Sequence, residues 1–379
     1  MKILAIDDQQ LILLSVERRL SELGYIVKTA NTGQKGIDLF DSFEPDLVLV
    51  DINMPDISGL EVVKHIKSGV KKGVPVLVMS GNTQENIIMD GFTLGIDDYM
   101  KKPVSLDEMA ARIKRLVGAP FISDSSQVSN NARMLQKNCV GVVIPCYNEE
   151  ERLLSTEFKD FAHKNLGYHL CFVNDGSTDK TLEVLEKLKK GSESNISIYN
   201  CVQNGGKAEA VRQGMLHLAK DEQLDYIGFL DADLSTDFRD FDDLVETLDQ
   251  SNFKIVSGSR MSRMGANITK ESARKIISMT INLIIRTILR MPFNDTQCGA
   301  KVMDRSVVPL LFDKPFITKW LFDVEMFIRM RKHYGKTEAK KFICEQPLKR
   351  WIHADGSKLS MKDSVKIVGQ LAKIAFVYR

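Results

Sequence analysis

Two sets of residues in this 379-residue chain have the types and spacing for phosphate chemistry. The first is Asp7-Asp8, Asp51, Ser80 and Lys102. Each stands at the end of a short apolar run, and in an open α/β sheet ligands bind beyond the carboxyl ends of the strands. Three close carboxylates repel one another unless a cation neutralises them, and an all-oxygen ligand set selects a hard ion such as Mg²⁺. Adding the hydroxyl of Ser80 and the ammonium of Lys102 makes a site for a phosphoryl group held through Mg²⁺. The second set is spread over four motifs in order: Ile144-Pro145-Cys146-Tyr147-Asn148-Glu149-Glu150, Val173-Asn174-Asp175-Gly176-Ser177-Thr178-Asp179, Asn204-Gly205-Gly206-Lys207-Ala208 and Leu230-Asp231-Ala232-Asp233. Two carboxylates on one rim hold Mg²⁺ or Mn²⁺ against a diphosphate, and the metal stabilises charge on a departing nucleoside diphosphate. The glycine pair offers close backbone approach, with Lys207 as a cation at a helix start. A lone Asp-x-Asp is commonplace on surfaces, and Asp175 alone reads as an Asx-turn. The order of the four motifs is the signal.

The elements that must position these groups alternate along the chain. Strand patterns fall at Ile3–Ile6, Tyr25–Lys28, Leu47–Val50, Val76–Met79 and Asp98–Met100, with amphipathic segments such as Leu11–Leu23 and Leu60–Lys67 between them. Five βα units predict a parallel sheet wrapped by helices. Residues 119–137 are Ser/Asn-rich without periodicity and read as a linker. A second alternating pattern follows, with strands expected at Val140–Ile144, His169–Val173, Ser197–Cys201, Tyr226–Leu230, Lys254–Ser257 and Phe342–Cys344. The predicted domains are 1–118, a linker at 119–137, and 138–379.

Composition is that of a globular protein, 44% hydrophobic and 27% charged, which excludes a mainly disordered chain, a collagen-like fibre and a disulfide miniprotein. The six cysteines have no CxxC spacing and several lie in apolar runs, so buried reduced thiols are expected. The most hydrophobic stretch, Ile276–Ile285, has ten residues, where a membrane span needs about 20. With no leader pattern, the expected location is cytoplasmic, with attachment to the inner membrane face left open. The formal charge of +2 hides a segregation: residues 1–118 net −3, residues 119–253 net −10, and residues 254–379 net +15.

The first motif set resembles the response-regulator receiver domain, the CheY-like family with a flavodoxin-like (βα)5 fold, over residues 1–118. The resemblance implies that Asp7 and Asp8 bind Mg²⁺ with Asp51 and the backbone carbonyl of Asn53. Asp51 would be the phosphoacceptor, and Ser80 and Lys102 would contact the phosphoryl oxygens. Tyr99 would be the switch aromatic, and Pro103 would follow a cis peptide. The implied partner is a sensor histidine kinase or phosphotransfer protein. The second set resembles the family 2 glycosyltransferases of GT-A fold, a Rossmann-like nucleotide-diphospho-sugar transferase, over residues 138–350. It implies that Pro145, Tyr147, Glu149, Asp175 and Lys207 bind the nucleotide sugar, with Asp231 and Asp233 carrying the Mg²⁺ or Mn²⁺.

A narrower match is to the polyprenyl-phosphate branch, dolichol-phosphate mannose synthase and dolichyl-phosphate β-glucosyltransferase. Its carriers are Gly258-Ser259-Arg260, Asp295-Thr296-Gln297-Cys298-Gly299-Ala300-Lys301, Trp320-Leu321-Phe322-Asp323-Val324-Glu325 and Gly356-Ser357-Lys358-Leu359. The synthases often place Gln two residues after the Asp-x-Asp, where this chain has Ser235. Arg260, Arg274 and Ser278 match the positions that hold the acceptor phosphate, and Arg suits bidentate phosphate contacts. Inversion at the anomeric carbon is implied by the family.

Two stretches bear on the acceptor side. Lys275–Met291 carries a broad apolar surface with Arg274, Arg286 and Arg290 nearby, which reads equally as an interfacial amphipathic helix or a core-facing one. Met361–Arg379 gives a second helical pattern, a packed terminal helix or a docking helix for a membrane or a dimer partner. The expected function is a phosphorylation-regulated transfer of a hexose from UDP- or GDP-hexose to a polyprenyl phosphate. Two alternatives stand beside it: transfer to a soluble sugar or protein, and a signalling adaptor with a non-catalytic transferase fold. No nucleic-acid reader motif is present, so a nucleic-acid partner is not expected.

Overall fold

The computed structural model describes residues 1–379 apart from 70, 82–84, 119–133, 261–266, 269–271, 352–360 and 379. The side chains of 85–87, 134, 267–268, 272–280, 351 and 361–365 also lie outside the described set. The chain divides into two compact units, Met1–Cys139 with Asp160–Tyr168, and Val140–Lys159 with His169–Arg379.

The first unit opens with β1 (Lys2–Ile6), α1 (Gln10–Glu22), β2 (Ile26–Ala30), α2 (Gly33–Phe43), β3 (Leu47–Asp51), α3 (Gly59–Ser68), β4 (Val76–Ser80), α4 (Glu85–Leu94), β5 (Asp98–Lys101), β6 (Val104–Ser105) and α5 (Leu106–Val117). Its sheet has the order β2-β1-β3-β4-β5, with parallel pairings throughout, the flavodoxin-like arrangement. Every residue of β3 and β4 is buried, as expected of central parallel strands covered on both faces. Leu4, Ile6, Val48, Val50, Val62, Ile66, Val76 and Val78 form the core on one side of that sheet. Helix starts are fixed locally. Ser58 and Glu61 make a capping box on α3, and Ser105 caps α5 by accepting from Asp107 N.

The remaining elements, in chain order, are β7 (Met134–Cys146), α6 (Ser155–Lys164), β8 (Asn165–Asn174), α7 (Thr181–Lys189), β9 (Ile196–Asn200), α8 (Lys207–Leu218), β10 (Tyr226–Leu230), α9 (Phe238–Asp249), β11 (Ile255–Ser259), β12 (Asn267–Ile268), α10 (Ser272–Leu289), β13 (Ala300–Asp304), α11 (Val308–Phe312), α12 (Phe322–Tyr334), α13 (Glu338–Lys341), β14 (Ile343–Pro347), β15 (Arg350–Trp351) and α14 (Met361–Val377). Seven of these strands line up as β14-β11-β13-β10-β7-β8-β9. β13 runs antiparallel between β10 and β11, whereas β10 is parallel to β7 and β11 to β14. This mixed α/β sheet accords with the GT-A expectation.

All eleven expected strands form, with shifted ends. β2 runs from Ile26 to Ala30, β9 starts at Ile196, and β14 reaches Pro347. β13 lies outside the expected set because Lys301 interrupts its apolar pattern. All six cysteines are free thiols.

Candidate functional site

In the first unit, strand register assembles the site. Ile6 pairs with Val50 and Val50 with Val78, so the ends of β1, β3 and β4 lie level. Asp7, Asp8 and Asp51 therefore converge, with one carboxylate oxygen from each within 4.8 Å of the other two. Lys102, only 2% exposed, pairs with Asp7 at 2.6 Å and Asp51 at 3.4 Å. Burial, followed by the charges of Asp7 and Asp8, pushes the Asp51 carboxyl up to about 7 against the pull of Lys102. Burial works against the Lys102 charge, but Asp7 and Asp51 outweigh it and hold its pKa above the ordinary range. Ser80 is buried. Burial raises the Tyr99 hydroxyl, which a hydrogen bond with Ser80 partly offsets. The Lys102–Pro103 peptide is cis, as expected. Asn53 lies in the turn after β3. Two buried carboxylates and the half-buried Asp8 beside one ammonium fit a hard divalent cation, which would supply charge neutralisation for a phosphoryl group.

In the second unit, Phe229 of β10 pairs with Val143 of β7. Asp231 and Pro145 therefore emerge on one rim. Asp175 joins them, since its N–H donates to the Cys146 carbonyl at 2.9 Å. The Asp175 carboxylate, 3% exposed, accepts the N–H groups of Gly205 and Gly206, both at 2.8 Å. Gly206 has φ 86°, a conformation that favours glycine. This clamp shapes the turn that starts α8 and places Lys207, whose ammonium is ion-paired with Asp231. Burial lowers and Asp231 raises the Lys207 pKa, with the carboxylate prevailing.

The loops that would face a nucleoside are joined by hydrogen bonds. Asn148 N donates to Ser177 Oγ at 3.1 Å, Thr178 N to Asn148 Oδ1 at 2.9 Å, and Glu149 N to Thr181 Oγ1 at 2.8 Å. Tyr147 is exposed and Pro145 half-buried. Burial raises the Glu149 pKa, and Asp233 and Asp179 add to it while Arg152 opposes. Asp233 is exposed on the rim and accepts from Ser235 N at 2.9 Å. The paired carboxylates fit a divalent cation, which would supply charge stabilisation at a diphosphate.

Arg260 follows β11 and forks onto Asp295, with Nε at 2.7 Å and Nη2 at 2.8 Å, while its own N–H reaches Asp295 at 2.9 Å. Burial works to raise the Asp295 carboxyl, but Arg260 holds it below the usual range. Glu345 in turn accepts the N–H groups of Asn294 and Asp295. Arg274 and Ser278 fall on α10, and their side chains lie outside the described residues, as does the Gly356–Leu359 motif.

The motif runs hold a pair whose role spacing did not reveal. Lys301 is fully buried and its ammonium lies 2.6 Å from Asp323 and 2.7 Å from the Cys298 carbonyl. Burial raises the Asp323 pKa; Lys301 opposes and Asp231 reinforces the rise. The available signal was a Lys and an Asp embedded in apolar runs, since buried charges persist when paired.

A family model described as response regulator receiver domain matches residues 3–114, and one described as glycosyl transferase family 2 matches residues 141–312. A dolichyl-phosphate beta-glucosyltransferase of Trichomonas vaginalis is 30% identical over 322 residues, 81% of this chain and 91% of the relative. The cell cycle transcriptional regulator CtrA of Caulobacter vibrioides is 36% identical over 117 residues, 31% of this chain and 50% of the relative. The structure of the chemotaxis protein CheY4 of Vibrio cholerae is 27% identical, covering 30% of this chain and 97% of that one, with a TM-score of 0.30. With receiver landmarks at the first sheet's rim and nucleotide-sugar landmarks at the second's, the chain belongs to glycosyl transferase family 2 and carries a response regulator receiver domain ahead of its transferase domain.

Proposed function

We propose that the chain transfers a hexose from UDP- or GDP-hexose to a polyprenyl phosphate with inversion, and that phosphorylation of Asp51 tunes this activity. The supporting observation is the run of contacts from Asp175 through Gly205 and Gly206 to Lys207 and Asp231. The glycine turn, held by Asp175, sets the start of α8, and the Lys207 ammonium there stands beside the first carboxylate of the Asp-x-Asp, a cation and a metal-ligand candidate that together suit a diphosphate. Asp231 and Asp233 would hold Mg²⁺ or Mn²⁺ there. In this reading an acceptor phosphate oxygen bonds to the anomeric carbon. The bond from that carbon to the nucleoside diphosphate breaks, and its electron pair leaves with the diphosphate. An ionised phosphate needs no proton removed, so Arg260, Arg274 and Ser278 serve as positioning groups for the acceptor. The domain bounds 1–118 and 138–379, with the linker at 119–137, are proposed with it.

The acceptor class is supported by the dolichyl-phosphate relatives and by the surface near the basic end. The described part of α14 buries Leu371 and Ile374 but leaves Val368, Phe376 and Val377 exposed, and α10 exposes Leu283. Lys366, Lys373 and Arg286 are exposed on the same helices. Apolar groups flanked by cations suit an anionic membrane surface. No described helix is long and apolar enough to cross a membrane.

The test is turnover of UDP-glucose and GDP-mannose with polyprenyl phosphate in detergent, beside a soluble-acceptor assay and liposome flotation. Lipid-linked hexose and flotation are expected. Transfer only to soluble acceptors, without flotation, overturns the acceptor class. Nucleotide binding with no turnover, in a chain folded like its Asp231→Asn variant, overturns catalysis. Acetyl phosphate treatment that leaves wild type and Asp51→Ala equal in mass and activity removes the regulatory claim.

A further inference from the structure

Trp320 is 66% exposed, yet the loop carrying it is pinned on both sides. Glu325, fully buried on α12, accepts Ile317 N at 3.0 Å, Thr318 N at 3.1 Å and Thr318 Oγ1 at 3.2 Å. Arg329, one turn further along α12, donates to the carbonyls of Leu311, Lys314 and Pro315 at 2.6, 2.8 and 2.9 Å. Its guanidinium also lies 4.4 Å from the centre of the Phe316 ring. Arg212 of α8 reaches the carbonyls of Phe312 and Asp313. Backbone held by the buried Glu325 and two half-buried arginines has little freedom left to lose on binding a ligand.

That loop ends inside the donor site. The Lys319 carbonyl accepts Ala208 N at 3.2 Å. A Cβ built on Gly206 would meet the Lys319 side chain at 3.0 Å. On the other flank the Phe322 ring packs 5.6 Å from Phe229 of β10, and Asp323 pairs with Lys301. Trp320 is therefore next in sequence to the residue touching the Gly206–Ala208 turn. It is three residues from the buried acid that feels Asp231. Consecutive Cα atoms are about 3.8 Å apart, so its backbone stands at the lip where the diphosphate turn and the Asp-x-Asp meet.

Single exposed apolar residues are ordinary. An exposed indole on a pinned loop at the lip of a phosphate site is a different object. Its flat face carries negative quadrupole charge, and the C–H face of a pyranose presents the complementary edge charge with a matching apolar area. We propose that Trp320 is the platform for the hexose of the nucleotide sugar, contacting the transferred ring and not the nucleotide. This rests on the donor site proposed above and adds a residue that selects for the sugar.

The chain has two tryptophans, Trp320 and Trp351, so the full-length W351F variant leaves a single reporter. It is titrated with UDP-glucose, UDP, GDP-mannose and GDP in Mn²⁺ by fluorescence. Calorimetry with the same four ligands is run on wild type, W320A and W320F, which reads the comparison even where W351F fails to fold. The sugar-bearing nucleotide should change Trp320 emission more than the matching nucleoside diphosphate. W320A should weaken the sugar nucleotide about tenfold and leave the nucleoside diphosphate within about twofold, with W320F largely restoring affinity. Equal weakening of both, no weakening, or emission that answers polyprenyl phosphate and not the sugar nucleotide overturns the platform while the donor site stands. Absence of binding by every nucleotide overturns the donor site and the platform with it.

Discussion

Gly299 gives the sharpest test of how Asp231 is placed. A Cβ at position 299 would stand 2.0 Å from Asp231 Oδ2 and 2.3 Å from its Cγ. The Asp231 N–H also donates to the Gly299 carbonyl at 3.1 Å, tying the two backbones together. Gly299 is thus required for space. An ordinary van der Waals contact begins at 3.4 Å, so Gly299→Ala must push the carboxylate oxygen away by about 1.4 Å if the backbones hold. Overpacking of this kind costs about 1–3 kcal/mol of stability. A shift of about 1 Å in a positioning group costs about 100-fold in rate, or about 2.7 kcal/mol at 1.36 kcal/mol per decade. The expected variant is folded, melts a few degrees lower, and loses about 100-fold in kcat/KM for the nucleotide sugar. Thermal melts and steady-state turnover read the two effects separately. Gly228→Ala is the contrast, because its Cβ would meet the Lys301 carbonyl at 2.4 Å and Phe241 rather than the Asp231 carboxylate. It should cost stability with turnover per folded molecule close to wild type. A Gly299→Ala protein with unchanged kcat/KM refutes the claim that this glycine sets the position of Asp231.

Asp51 has a raised carboxyl, so the fold favours its protonated form; that stabilising contribution is full below the unfolded value near 4 and is lost as pH rises through about 7. In EDTA, the wild-type receiver transition should therefore fall between pH 5 and 8 more steeply than that of Asp51→Asn, and parallel slopes would contradict the assignment. Lys301→Met strands the buried Asp323 and should destabilise the transferase unit by about 3–5 kcal/mol in urea unfolding, with Lys301→Met/Asp323→Leu recovering much of the loss; a double variant no better than the single would show the pair is not the cause. Asp175→Ala leaves two glycine N–H groups without their acceptor, which should raise the nucleotide Kd about 10-fold or more in calorimetry, against no change if the turn holds itself.

Much of this molecule was legible in its residue order, and for a physical reason. Buried parallel strands write themselves as apolar runs, so Leu47–Asp51 and Val76–Ser80 stand out, and the acids that end such runs must share a rim. Asp7, Asp51 and Lys102 were readable on that logic before any contact was known. Partnerships across the sheet were not. Nothing in local spacing says that Lys301 faces Asp323, that Arg260 forks onto Asp295, or that Glu345 holds the Asn294–Asp295 backbone. Each joins residues far apart in sequence, and each depends on β13 entering antiparallel between β10 and β11. A charged residue at its second position, Lys301, disguises that element. Asp175 shows the same limit from another side: its loop was recognised, but its carboxylate is occupied by Gly205 and Gly206.

The Lys207–Asp231 pair gives the proposed donor site the logic of a coincidence gate. A divalent cation arriving alone must take Asp231 from Lys207 and strand the ammonium. A nucleoside diphosphate arriving alone can draw off Lys207 but strands the carboxylate. Only their joint arrival leaves every charge partnered, so each ligand should bind more tightly in the presence of the other, by the same factor in both directions. The resting protein holds the acid with its own base, and on the donor site proposed above neither free Mg²⁺ nor a stray phosphate would fill it alone.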